Sequence, residues 1–238
     1  SMPLGMCDVC DEVKILPSKG QAMELPGDAE KIEIAGDLIE LGDPDINGSM
    51  YIFTFTTVHG VKTAIGTKTK SGPDLEVAIL QGRQELRDMY PYGKIDDEEI
   101  RVHSDMEKGL SSKCKQHLQK IGIKLTTTEG YDSKKGNPKA ERTNRKAREY
   151  QRKLVLEAVG RRMLYKELGG EAMMHGIFCD NFRPESGEKS PYEKAGNEKI
   201  DIEDSVDIFG SLAWVKESEE RRGGNHDTPN RRAIYLGE

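Results

Sequence analysis

The sequence predicts an α/β domain built on a mixed five-stranded sheet flanked by helices, and three observations predict it. Three strand-like runs stand close together, KIEIAGDLIEL (31–41), MYIFTFTTV (50–58) and KTAIGTKT (62–69). Two further short strands, EIRVHSD (99–105) and IKLTTT (123–128), each follow a segment with helical spacing of apolar residues. The resulting order, β-β-β-α-β-α-β-α, is that of an antiparallel meander continued by parallel strands through crossover helices.

Each element has a local reason. The first two strands are joined by DPDINGS (43–49), whose Asn47-Gly48 pair is a strong hairpin signal, and His59-Gly60-Val61 is short enough to be a second tight connection. After Ser71-Gly72-Pro73 the spacing turns helical over 74–90, with Leu75, Ile79, Leu86 and Met89 on one face. A helix over 111–121 aligns Cys114, Leu118 and Ile121 before a terminating Gly122. The segment EGYDSKKGNPK (129–139) has no regular period and reads as a loop, followed by a long helix over 140–160 and another over 163–183. Residues 184–207 are polar and acidic, and the chain closes on two apolar patches, IFGSLAWV (208–215) and RRAIYLGE (231–238). Residues 1–26, interrupted by Pro17, Gly20 and Pro26, read as a lead-in. The expected division is therefore lead-in 1–26, core 27–185, and a C-terminal extension with short strands, 186–238.

The net charge of −6 hides an uneven distribution. Residues 111–170 hold 16 Lys+Arg against 6 Asp+Glu, a balance of +10, and the rest of the chain carries the opposing −16. A basic middle between acidic flanks is the pattern of a polyanion-binding surface. No apolar run approaches the roughly 18–20 residues of a membrane span, and no signal-peptide pattern opens the chain, so no membrane partner is expected. Four cysteines, Cys7, Cys10, Cys114 and Cys179, make no dense disulfide framework and point to a reducing compartment.

Three carboxylates stand where the strand order lets them converge. Asp37 interrupts an otherwise apolar first strand, Asp105 ends the fourth, and Glu141 opens the helix after the fifth. A sheet of this order sets its first and fourth strands side by side. Hard divalent cations favour such oxygen ligands, and two ions roughly 4 Å apart can hold the attacking and leaving oxygens of a phosphoryl transfer. Asp43 and Asp45 are alternatives to Asp37, although both flank the turn, where Asp is suited on structural grounds alone. His103 shares the strand face of Asp105, either beside the site or as a satisfied, partly buried histidine.

Between Asp105 and Glu141 lie 35 residues. With that interval, the pattern resembles the Asp-Asp-35-Glu catalytic core of retroviral and retrotransposon integrases, members of the ribonuclease H-like superfamily. The wording of IRVHSD (100–105), GIKLTTTEGYDSKKGNPKAERTNRKAREYQRKLV (122–155), SPYEKAG (190–196), IFGSLAWV and RRAIYLGE is most similar to Copia-type LTR retrotransposon integrases, over about 30–238. The resemblance implies a ribonuclease H-like fold, with Asp37, Asp105 and Glu141 as ligands of Mg²⁺ or Mn²⁺. It implies that Asn144, Arg145 and Arg148, on the helical face of Glu141, contact DNA, with Lys134, Lys135 and Lys139 of the preceding basic stretch holding the backbone. The activity implied is nuclear: water trims DNA 3′ ends, and the 3′-hydroxyl then attacks a target phosphodiester, within a homo-oligomer. A catalytically silent, domesticated DNA-binding scaffold and a nuclease that cleaves without joining are the rival readings. The chain departs from the family pattern at 105–110, DMEKGL, and at TTVHG, where His59 replaces a common Asp.

The Cys7–Cys10 pair in CDVCDEVK looks like the tail of the His-His-Cys-Cys zinc module that precedes integrase cores. Tetrahedral zinc needs four ligands and no histidine precedes Cys7, so it reads as half a zinc site. Since Ser1-Met2 resembles a cloning remnant, zinc is expected only in a longer natural protein. Cys114 and Cys179 are expected to pack as small apolar residues, and Trp214 to belong to the core.

Overall fold

Alternation along the central strands decides which helix each face receives. The structure, a computed structural model, describes residues 33–90, 100–103, 112–126, 138–159, 167–184, 188–200, 209–216 and 230–235. Strands β1 (Glu33–Glu40), β2 (Tyr51–Thr57) and β3 (Lys62–Thr67) form the antiparallel meander, and β4 (Ile100–His103) and β5 (Ile123–Thr126) extend it in parallel. The order β3-β2-β1-β4-β5 makes β1 central.

In β2 the run YIFTFTT sends Phe53 and Phe55 to one face and Ile52, Thr54 and Thr56 to the other. The phenylalanines join Ile34 and Ile65 beneath helix α1 (Gly72–Asp88), which contributes Leu75, Ile79 and Leu86, and helix α2 (Ser112–Lys120), which contributes Cys114 and Leu118. On the opposite face Ile39, Ile52 and Ala64 meet Ala147 of helix α3 (Pro138–Val159) and Met173 and Ile177 of helix α4 (Gly169–Asp180). The sheet is thus covered on both sides, as a sheet with parallel strands requires. Among the described helices none is long and apolar enough to cross a membrane.

Both expected turns form. Gly48 and Gly60 take left-handed φ values of 80° and 84°, which residues with a Cβ resist. The Asp45 carboxylate accepts from the amides of Asn47 (2.9 Å) and Ser49 (2.7 Å), so its buried side chain belongs to the turn, while Asp43 is exposed. Ser71 caps α1, and Gly82 lets that helix approach the Phe55 ring, where an added Cβ would come within 2.4 Å.

Some expectations are corrected. Of the helix expected over 163–183, α4 covers Gly169–Asp180, and residues 163–166 lie outside the described residues; Gly169 and Gly170 sit so close to the Gln151 and Asp45 side chains that an added Cβ would collide with them. The stretch 184–207 contains a short helix, α5 (Pro191–Lys194), started by a Ser190–Glu193 capping box. Its neighbour Ala195 reaches the α1 side of the core, and Asn197 donates to the Met89 carbonyl at 2.7 Å. Strands β6 (Leu212–Lys216) and β7 (Asn230–Ile234) pair as an antiparallel hairpin, with Phe209 packed on Val155, Leu168 and Ala172. Cys114 and Cys179 are buried thiols, and Cys179 Sγ lies 3.4 Å from His175 Nε2. The side chain of Trp214, the lead-in 1–26 and Cys7 and Cys10 lie outside the described residues.

The open edge of the sheet is closed by side chains. Asn181 accepts from the Lys62 amide (2.7 Å) and donates to the Lys62 carbonyl (2.8 Å), pairing with edge strand β3 as another strand would. Beside it the buried Asp180 carboxylate receives Lys62 Nζ at 2.5 Å, Lys146 Nζ at 3.3 Å and the Tyr150 hydroxyl at 2.5 Å. Burial alone would raise the Asp180 pKa, but the charge and hydrogen bond of Lys62, with Tyr150 and Lys146, outweigh it and hold it below its ordinary 3.8.

Two outcomes follow for stability. Asp180→Asn leaves two ammonium groups facing a neutral amide, and urea unfolding at neutral pH should show a loss of about 3–5 kcal/mol. Since the folded-state pKa is depressed, the Asp180 contribution is complete above the ordinary carboxylate value and lost as pH falls through the lower one; the gap between wild type and variant should narrow below about pH 4. Gly176→Ala would place a Cβ 2.4 Å from the Tyr150 Cβ at the α3–α4 contact, and the same assay should show a loss of about 1–3 kcal/mol despite alanine's better helix propensity.

Candidate metal and nucleic-acid site

Asp37 lies on central strand β1, opposite Thr54 of β2 in the antiparallel register. The two share the face under α3, and α3 meets them with Asn144. The Asn144 amide donates to Asp37 Oδ2 at 2.7 Å, while its oxygen accepts from the Thr54 hydroxyl at 2.6 Å. A carboxylate only accepts, so the NH₂ end of Asn144 must face Asp37 and its oxygen the hydroxyl. The second carboxylate oxygen of Asp37 accepts from the Leu38 amide at 2.8 Å. One residue earlier on the helix, Thr143 shares a hydrogen bond of 2.7 Å with Thr56.

These contacts fix how α3 is rotated. Ala140, Thr143 and Ala147 form its buried stripe, with Asn144 at the stripe's edge over Asp37. At 100° per residue, Glu141, Arg145 and Arg148 fall on the flank beside Asn144, and all three are exposed. Glu141 sits in the first turn, where the helix dipole favours an acid. Lys139, expected with Lys134 and Lys135 as a backbone contact from the preceding basic stretch, is two residues before Glu141 and therefore about 200° around the helix. It lies instead with Arg142 and Lys146 on the opposite flank. Lys146 is not simply solvated, since it reaches Asp180, and Lys153 pairs with Glu149 at 2.6 Å.

The site is thus assembled in part within the described residues. Asp37 and Asn144 come together through β1 and α3, with Glu141 exposed on the adjoining flank, whereas Asp105, Lys134 and Lys135 lie outside the described residues. Strand β4 runs parallel to β1 with Ala35 opposite His103. Among the described residues no three His, Cys, Asp or Glu side chains group to hold a metal. The donors that are described fit a hard divalent cation, since the Asp37 and Glu141 side chains offer oxygen only.

Sequence reasoning missed Thr54, the hydroxyl that orients Asn144. The FTFT alternation held the signal, for it places two threonines on the face away from the phenylalanines. His59 takes part in a different cluster, with Nδ1 3.2 Å from the Tyr90 hydroxyl, which in turn donates to Thr57 at 2.8 Å. Burial raises the Tyr90 pKa, which keeps that hydroxyl a donor.

No protein-family model matches the sequence, and no curated protein matches it significantly. Solved structures do match. A chain in the cryo-electron-microscopy structure of the simian T-cell lymphotropic virus intasome in complex with PP2A regulatory subunit B56 gamma superposes with a TM-score of 0.52 at 14% identity, over 84% of this chain and 68% of that one. At that identity the likeness is one of fold: this chain has the α/β architecture of a chain from a viral intasome.

Proposed function

We propose that the protein is an integrase catalytic core with a ribonuclease H-like fold, of Copia retrotransposon type, that processes DNA 3′ ends and joins them to target DNA. The observation that carries this reading is the Asn144–Asp37 hydrogen bond, which ties the helix bearing Glu141 to the strand bearing Asp37. Two facts support it. Ala35 and His103, paired across β1 and β4, each stand two residues before an aspartate, Asp37 and Asp105. The fold is shared with a chain of a viral intasome.

In this reading Asp37, Asp105 and Glu141 hold Mg²⁺ or Mn²⁺. The bound cations supply Lewis-acid activation of the attacking oxygen and stabilisation of the leaving one. Asn144 keeps the Asp37 carboxylate in one orientation, and Arg145 and Arg148 hold the phosphate backbone without reading bases. Lys134 and Lys135 extend the basic surface, so DNA binding falls steeply with salt. Work on chromosomal DNA places the protein in the nucleus, as a homo-oligomer.

A strand-transfer assay with Mn²⁺ tests the reading. Wild type should give joined products, and Glu141→Gln should lose at least about 100-fold, the upper end of what even outer-shell changes cost a metal site. Cleavage without joining in the wild type would assign a nuclease instead, and DNA binding without either a scaffold. Asn144→Ala should act through Asp37: the Mn²⁺ concentration for half-maximal activity should rise about 10–100-fold, with a stability loss of about 1–3 kcal/mol from the partners left unpaired. An unchanged Mn²⁺ requirement would remove Asn144 from the site.

A further inference from the structure

Helix α3 turns a second cationic flank away from Asp37, and that flank lines a cavity. Lys139, Arg142 and Lys146 recur at i, i+3 and i+7 and form one wall of a cleft of about 600 Å³. The β2–β3 turn with His59, Lys62 of β3, and the segment bearing Lys189 and Lys194 close the other sides. The buried stripe Ala140–Thr143–Ala147 lies between this cleft and the Asp37 flank. The volume is that of a small-ligand site.

Charge dominates the lining. Among the described residues six Lys and Arg side chains face one carboxylate, Glu193, which is held at the α5 cap by the Ser190 amide at 2.8 Å. Lys62 and Lys146 share Asp180, and Lys194 pairs with exposed Glu188 at 2.9 Å. Lys139 and Arg142 make no ion pair among the described residues. Gathering so many like charges around one concavity is unfavourable unless a counter-charge enters it. The Thr56 and Thr143 hydroxyls are occupied with each other, and among the described lining residues there is no Phe, Tyr or Trp to stack a base. What remains is the Arg142 fork with the ammonium groups of Lys139 and Lys189, converging from separate elements, the donors that suit phosphate.

We propose that this cleft binds closely spaced phosphate groups, at a site distinct from the one built on Asp37. The shared chemistry is a run of phosphates, supplied either by a free polyphosphate or by the backbone of a nucleic-acid segment passing over the cleft. It does not depend on catalysis at Asp37, and its test omits divalent metal.

The full chain is titrated with inorganic tripolyphosphate and, separately, with a single-stranded oligothymidylate. Three proteins are compared: wild type, Lys139→Ala/Arg142→Ala, and Arg145→Ala/Arg148→Ala. Lys62 and Lys146 are left intact because they hold Asp180, and thermal unfolding verifies that both variants fold. The cleft pair should weaken tripolyphosphate binding about 10–100-fold, as expected for lost hydrogen bonds to charged groups, while the Arg145/Arg148 pair leaves it within about twofold. A selective loss of tripolyphosphate alone identifies a free polyphosphate as the source, and a selective loss of the oligonucleotide, with or without tripolyphosphate, identifies a nucleic-acid backbone. Equal losses from the two pairs, no loss from the cleft pair, or no binding of either ligand by wild type overturns the proposal.

Discussion

The polar seat of α3 on the sheet is the constraint from which the rest follows. Most helices sit on sheets through apolar stripes that tolerate some rotation. This one is pinned at its first turns by directional bonds, Thr143 to Thr56 and Asn144 to both Thr54 and Asp37, flanked by Ala140 and Ala147 at zero exposure. A rotation of one residue, 100°, would break all three bonds within a buried contact, where each unmade bond costs about 1–3 kcal/mol. The small alanines let the helix come close enough for short side chains to span the gap. With rotation fixed, Glu141, Arg145 and Arg148 have only one place to be, and Lys139, Arg142 and Lys146 another.

A second lock lies further along the same helix. Lys146 and Tyr150 of α3 converge with Lys62 of β3 on Asp180 at the end of α4, and Gly176 brings α4 against Tyr150. A buried ion cluster of this kind stabilises less than well-packed apolar groups of the same volume, since its desolvation offsets much of its attraction. Its effect is to specify register: α3, α4 and edge strand β3 must align for one carboxylate to meet three donors. Burial and the Asp180 charge raise the Tyr150 pKa, so the phenol stays a donor throughout the physiological range. Because Lys146 belongs both to this cluster and to the cationic flank, the helix cannot present its cleft without also docking on α4.

The elements with strong local signals were legible in the sequence. The FTFT alternation, Asn47-Gly48 and His59-Gly60 produced the meander, and the crossover spacing produced β4 and β5 beside it. Features set by distant contacts were not. Nothing in Gly169-Gly170 announces that Gln151 and Asp45 press on them, since those neighbours are distant in sequence. The Ser190–Glu193 capping box was readable from SPYE, but α5 is too short to show a period. Helical arithmetic sets Lys139 on the flank away from Glu141, a placement that its membership of the basic stretch 134–139 does not reveal. For the candidate site, the strand and helix that carry Asp37 and Glu141 could be read directly, Asp105 lies outside the described residues, and the part played by Thr54 needed the strand register that puts it opposite Asp37.

The placement of charge on α3 also bears on how its two flanks would work together. Side chains on opposite sides of a helix are separated by roughly its 10–12 Å diameter, slightly more than the Debye length of about 8 Å at physiological ionic strength. Phosphates seated in the cleft would therefore reduce the positive potential felt beside Glu141 only modestly in physiological salt, and more strongly in dilute salt. A rigid helix held by the Asn144 and Thr143 bonds offers no conformational route to amplify that coupling. If both proposals hold, the two flanks would act as nearly independent anion sites joined by one scaffold, and a polyanion long enough to engage both would gain from their proximity without either site having to change shape.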